Sequence, residues 1–274
     1  MKRKQSLSSD LATEIADAKH EKSTFGGYNI THSQHTNGSA ISLDVAEADI
    51  ETESSRKHTA RALGELIAHN FPNEIARSIA PVTVICIGNS SFTADSLGPL
   101  CAEKIIATRH LKRERPQIFS MLGGREISVL RTETASFCGI DAKELAKMCI
   151  NELGSSLIIT VDSLKAASPE RLYKTVQISD HISPGSGIGN DRPSISKDTL
   201  GVPVISIGVP TVICASSLIP NGKNRSIIAP ATPQTANLEK LLVTPIDADI
   251  AIKRFSAVIG GAINHALLGI DDDI

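Results

Sequence analysis

Two aspartates carry the strongest chemical signal in this chain. Asp95 follows the apolar run Val82-Thr-Val-Ile-Cys-Ile-Gly88 after a short loop, in Thr93-Ala-Asp95-Ser-Leu-Gly-Pro99. Asp162 directly follows a second apolar run, Leu157-Ile-Ile-Thr-Val161. Two carboxylates in one cleft repel each other's ionisation, so one can act as a base while the other stays an acid. Each also has a plain structural reading. Asp95 stands where an N-terminal helix cap belongs, and Asp162 where a carboxylate closes the turn Asp162-Ser-Leu-Lys165. The readings are compatible, because a capping aspartate at a strand end still faces the rim.

A third candidate is the run Ser183-Pro-Gly185-Ser186-Gly187-Ile-Gly189-Asn190. Successive backbone N–H groups in such a run can cradle an anion. It lacks both the Gly-x-Gly-x-x-Gly spacing and the Gly-Lys-Ser/Thr ending of nucleotide loops. A tight loop beside the cleft, offering N–H groups to a substrate chain, is the expected role of Gly185, Ser186, Gly187 and Gly189. Of the eight histidines, His181 lies nearest this loop. With Asp95 and Asp162 it makes three candidate metal ligands, at the lower limit for a site, and no metal or other cofactor is expected. No Gly-x-Ser-x-Gly elbow is present, and Cys86 and Cys214 fall in apolar runs.

The elements that would position these residues alternate. Apolar, β-branched runs at 82–88, 157–161 and 203–209 read as buried strands of a parallel sheet. Helical spacing is found over 54–71, 97–111, 142–153 and 245–268. Residues 116–122 are expected as a further strand, and 173–178, which alternate, as an edge strand. Alternation of this kind predicts an α/β fold, a mainly parallel sheet flanked by helices. In open α/β sheets the ligand sits at the carboxyl ends of the strands, where both aspartates are expected. Residues 1 to about 55 are polar and read as an arm on the core, with a capped helical turn from Ser9 and a strand over 40–50. The expected division is an arm to about residue 55 followed by an α/β domain, 56–274.

With 41% hydrophobic residues but only 3% aromatics and no Trp, the core must be built from Ile, Leu, Val and Ala. A net charge of −2 gives no global attraction to nucleic acid or anionic membrane. Five cysteines without CxxC spacing suit thiols of a reducing compartment. Met-Lys-Arg-Lys at the start is followed by polar residues, unlike a secretory signal, and a cytoplasmic location is expected.

Several blocks resemble the germination proteases of spore-forming bacteria: Asn89 with Thr93-Ala-Asp95-Ser-Leu-Gly-Pro99 and Thr108-Arg-His-Leu111, Val161-Asp162-Ser-Leu-Lys-Ala-Ala-Ser168, and Gln177-Ile-Ser-Asp180. The Gly-rich run through Asn190 and Ser196-Lys-Asp-Thr-Leu-Gly-Val-Pro-Val-Ile-Ser-Ile-Gly-Val-Pro-Thr-Val212 complete the series. The resemblance implies a fold similar to the hydrogenase-maturation proteases, a three-layer sandwich. It also implies an endopeptidase, made as a zymogen and acting as a homotetramer in the forespore or spore core. Its substrates would be the small acid-soluble proteins that coat spore DNA. Asp95 and Asp162 match the family's essential aspartates. Ser9-Asp10-Leu11-Ala-Thr-Glu14 matches its self-processing pattern, so a cut is expected between Asp10 and Leu11. The sequence departs from the pattern at His181-Ile-Ser183, one residue shorter with its histidine moved, at Ser90 in place of Trp, and in a shorter stretch between Val212 and Val243. A metal-dependent peptidase using His181 and a non-proteolytic relative that binds spore proteins are the alternative readings.

Overall fold

A computed structural model describes residues 9–15, 17–36, 38–75, 80–132, 139–182, 195–218, 238 and 241–271. Strands β1 (Lys19–Phe25), β2 (Tyr28–His35) and β3 (Gly38–Asp44) form an antiparallel meander. Then come β4 (Val82–Ile87), β5 (Ile127–Thr132), β6 (Leu157–Ala166) and β7 (Thr175–Ser179). Two-residue strands β8 (His181–Ile182) and β9 (Ile195–Ser196) pair with each other. β10 (Val204–Cys214) is the longest strand, and β11 (Leu242–Val243) pairs with its end.

The main sheet runs β1-β2-β3-β7-β10-β6-β4-β5. Its half from β10 to β5 is parallel and its half from β1 to β10 antiparallel. The expected α/β architecture is therefore present as a mixed sheet with parallel central strands. The polar N-terminal stretch, read as an arm, supplies three strands of that sheet. Its signal is weak because most of β1 is exposed, and an edge strand facing water on both sides carries no apolar alternation.

Helices α1 (Glu53–Asn70), α2 (Leu97–Ala102), α3 (Ala142–Leu153) and α4 (Ala248–Leu268) cover the sheet. α1 opens with a capping box, Thr52 with Ser55. Leu63, Leu66 and Ile67 of α1 and Phe255, Ile259 and Ile263 of α4 share one core with Val84, Ile159, Val161 and Ile207 of the sheet. On the opposite face α3 buries Ala146 and Cys149 against Ile85 and Ile158.

Four expectations need correction. Residues 116–122 form a helix, Pro116–Met121, with proline in its first turn; the strand at that edge is β5. The helix expected over 97–111 stops at Ala102, because Asn264 of α4 captures the backbone there. It accepts from the Ile106 N–H and donates to the Lys104 carbonyl, both at 2.9 and 2.8 Å respectively. Thr108 and Arg109 then donate to the Ile127 carbonyl and cap β5. The strand over 173–178 is central, flanked by β3 and β10. Its alternation marks a polar row inside the protein, not a solvent edge. Finally, β6 runs past Val161 to Ala166, so Asp162 lies within the strand.

Candidate active site

Asp95 is held by tight backbone packing beyond the end of β4. The Asn89 N–H donates to the Asp95 carboxylate at 3.0 Å and to its carbonyl at 2.9 Å. Two glycines permit this approach. A Cβ on Gly88, at φ +148, would come within 2.1 Å of the Asp95 carbonyl oxygen, and one on Gly98 within 2.1 Å of the Ile87 carbonyl oxygen. Asp95 closes a 3-10 turn, Thr93–Asp95, and Ser96 leads into α2. No side-chain cap bond forms at that helix start, and the carboxylate serves the loop after β4 by accepting from the Asn89 N–H.

Asp162 is half-buried, with Oδ1 accepting from the Ser163 N–H at 2.7 Å. Burial pushes its carboxyl well above the ordinary aspartate range, and the charge of Asp95 raises it further. The Ser163 bond opposes the rise and the charge of Asp10 adds to it. A carboxyl raised in this way holds its proton to higher pH than a free aspartate does. Asp95 lies in the turn beyond the carboxyl end of β4, and Asp162 lies within β6, the strand that pairs in parallel with β4.

The N-terminal segment lies in this cleft. The Asp10 N–H donates to the Lys165 carbonyl at 2.8 Å, and the Lys165 N–H donates to Asp10 Oδ2 at 2.9 Å. The Ala167 N–H donates to Glu14 Oε2 at 2.7 Å, and the Ser9 hydroxyl donates to the same carboxylate. Leu11 is fully buried and Ala12 nearly so. Gln177 grips the segment from β7. Its Nε2 donates to the Asp10 carbonyl at 3.1 Å, and its Oε1 accepts from the Ala12 N–H at 2.7 Å. Asp162, Gly208 and Gln177 occupy one row across β6, β10 and β7, so both side chains rise from the same face of the sheet. Gly208 between them has no side chain, and Leu164 leans over it.

The sequence candidates therefore separate. Asp95, Asp162, Asp10 and Leu11 converge. Gly185, Ser186, Gly187 and Gly189 lie outside the described residues. His181 is elsewhere: its Nδ1 is 3.0 Å from Asp180 Oδ1 and its ring packs edge-on against His35 at 4.9 Å. β7 runs antiparallel to β10, so residue 181 is level with Val204 and Ile158, toward the amino ends of the parallel strands. Four residues of strand, roughly 13 Å, separate that level from Asp162. No cluster of three metal-ligating side chains occurs among the described residues. Cys86 and Cys101 are not poised as nucleophiles. Burial pushes Cys86 up to about 12 and Cys101 well above its ordinary value. Gln177 is not among the site residues expected from the sequence. The available signal was a long polar side chain in the middle of the apolar alternation Thr175-Val-Gln-Ile-Ser179.

Comparison with known proteins gives a consistent result. The sequence profile described as "Germination protease" matches residues 14–227. A germination protease of Caldanaerobacter subterraneus subsp. tengcongensis is 33% identical, over 81% of this chain and 75% of its own length. One of Clostridium tetani is 29% identical over 96% of this chain and 95% of its own. For one of a Geobacillus species the values are 35%, 70% and 54%. Among solved structures, a hydrogenase maturation protease from Thermococcus kodakarensis is 14% identical with a TM-score of 0.35, covering 70% of this chain and 97% of its own.

Proposed function

Since the chain belongs to the germination protease family, we propose that it is an endopeptidase using Asp95, Asp162 and a water, made as a precursor that cuts itself between Asp10 and Leu11. The observation that carries this reading is the docking of that bond on β6, with Asp10 paired to Lys165 three residues beyond Asp162. Backbone pairing of a peptide with a strand gives affinity whatever its sequence, and side-chain contacts add specificity.

Asp95, as carboxylate, takes a proton from the water while the water oxygen bonds to the carbonyl carbon of Asp10. Asp162, protonated, gives its proton to the Leu11 nitrogen as the C–N bond breaks. The proton on Asp95 then passes to Asp162, and the pair is reset. Burial of Asp162 and the neighbouring negative charge support this assignment of acid and base. Before the cut, residues 9–14 fill the groove, which is how a precursor would be kept silent toward other chains.

The proposed substrates are small acid-soluble spore proteins, the proposed place the forespore or spore core, and the proposed assembly a homotetramer, all on the strength of the family. No cofactor enters the reaction. Incubating such a spore protein with the processed enzyme and reading its fragments by mass spectrometry tests the reading. Cuts after the acidic residue of a Ser/Thr-acid-apolar-Ala site are expected, lost in Asp95→Asn and unaffected by a chelator. Chelator-sensitive cutting would overturn the metal-free mechanism.

A further inference from the structure

We propose that the Gln177 carboxamide is a catalytic group, donating through Nε2 to the scissile carbonyl oxygen and stabilising the negative charge that develops there when water adds. This deepens the self-processing reading above and rests on it.

If Asp10–Leu11 is cut, the carbonyl that must be polarised is that of Asp10. Its oxygen accepts from Gln177 Nε2 at 3.1 Å. The other end of the same carboxamide accepts from the Ala12 N–H at 2.7 Å. A backbone N–H can only donate and a backbone carbonyl only accept, so these two contacts fix which end of the amide faces which group. Gln177 thus spans Leu11, with one atom on the scissile peptide group and the other on the next.

The sheet makes this a preset geometry. Gln177 is almost wholly buried in a central strand, pinned between Ser42 of β3 and Gly208 of β10. A donor held in a dry, rigid position and aimed at the oxygen where charge develops lowers the barrier without reorganising during reaction. Gln177 shares its row and face with Asp162. The carbonyl donor and the proton donor therefore approach the same peptide bond from two strands separated only by β10. A glutamine serving packing alone would have no reason to bridge the scissile peptide group and the next one, on either side of Leu11.

The test uses the full chain and follows release of the segment ending at Asp10 by intact mass, a first-order process in which the substrate is already docked. Removing one preorganised oxyanion donor typically slows such a step about 10²- to 10³-fold. Gln177→Glu keeps the acceptor for Ala12 but replaces the donor with a charge that repels the developing oxyanion. It is expected to slow processing by about that factor at neutral pH. Acidification protonates the new carboxyl and restores an O–H donor, so the deficit relative to wild type should narrow as pH falls. Gln177→Ala should be slow with a deficit that does not narrow. Thermal unfolding of each variant shows that it is folded.

A Gln177→Glu chain that processes at the wild-type rate, or whose deficit is the same at every pH, overturns the proposal. If wild type processes itself, Asp162→Asn does not, and Gln177→Glu matches wild type, the Gln177 role alone falls. If wild type never cuts at Asp10–Leu11, the reading of the cleft falls and takes the Gln177 role with it.

Discussion

Asp10 and Lys165 exchange two hydrogen bonds: the Asp10 N–H to the Lys165 carbonyl at 2.8 Å, and the Lys165 N–H to Asp10 Oδ2 at 2.9 Å. One contact is strand-like and sequence-blind. The other reads an acidic side chain. Together they would let a cleft built from backbone prefer an acid just before the proposed scissile bond. A direct prediction is that Asp10→Ala slows self-processing by about 10-fold or more, since a hydrogen bond to a charged group is worth about 1.5–3 kcal/mol. Mass spectrometry of the variant over time checks this, and an unchanged rate would remove the recognition role.

The titration of Asp162 offers a second check. Burial is the larger cause of its raised pKa and Asp95 the next. Asp95→Asn should therefore move it down, but not to the ordinary aspartate value, because burial remains. Carboxyl-carbon NMR of labelled aspartates reads this. A midpoint for Asp162 that is unmoved in Asp95→Asn would mean that the two carboxylates do not feel each other.

Gly98→Ala is predicted to disable the site without touching either aspartate. The added Cβ would stand 2.1 Å from the Ile87 carbonyl oxygen and 2.6 Å from the Ile87 nitrogen, both backbone atoms that cannot swing aside. α2 must shift away from the end of β4, taking the Asp95 loop with it. Processing should fall at least about 100-fold, since misplacement by an ångström costs on that order. Full activity in Gly98→Ala would show that the loop has slack.

Asp180 ties the start of β3 to the end of β7, accepting from the Ser39 N–H at 2.9 Å and the Ser39 hydroxyl at 2.8 Å, with His181 beside it. Burial alone would raise its pKa, but these bonds outweigh it and hold the carboxyl below the ordinary value. A depressed carboxyl stabilises the fold above its unfolded pKa and loses that contribution as pH falls through the folded one. Asp180→Ala should cost about 1–2 kcal/mol near neutral pH, since the site is partly exposed. The deficit should shrink in strong acid. Denaturant unfolding at two pH values measures it, and a constant deficit would contradict the account.

The sequence made the parallel half of the molecule legible and the antiparallel half obscure, for physical reasons. β4, β6 and β10 are buried on both faces, so each reads as a continuous apolar run. β1 is a mostly exposed edge, and its residues carry no trace of a partner. The end of β6 was misplaced because Asp162-Ser-Leu-Lys165 looks like a turn. In the fold it continues as strand because β10 pairs with it and the N-terminal segment adds to it. The aspartates were readable as types at strand ends. Gln177 was not, because its meaning comes from the register of three strands and from a segment 165 residues away, between Ala12 and Gln177.

The intact mass of the full chain, incubated beside its Asp162→Asn variant, tests the central claim most directly. The account predicts that wild type loses the segment ending at Asp10 and leaves a chain beginning at Leu11, while Asp162→Asn keeps its original mass. The same cut appearing in Asp162→Asn, or no cut in wild type, would contradict it.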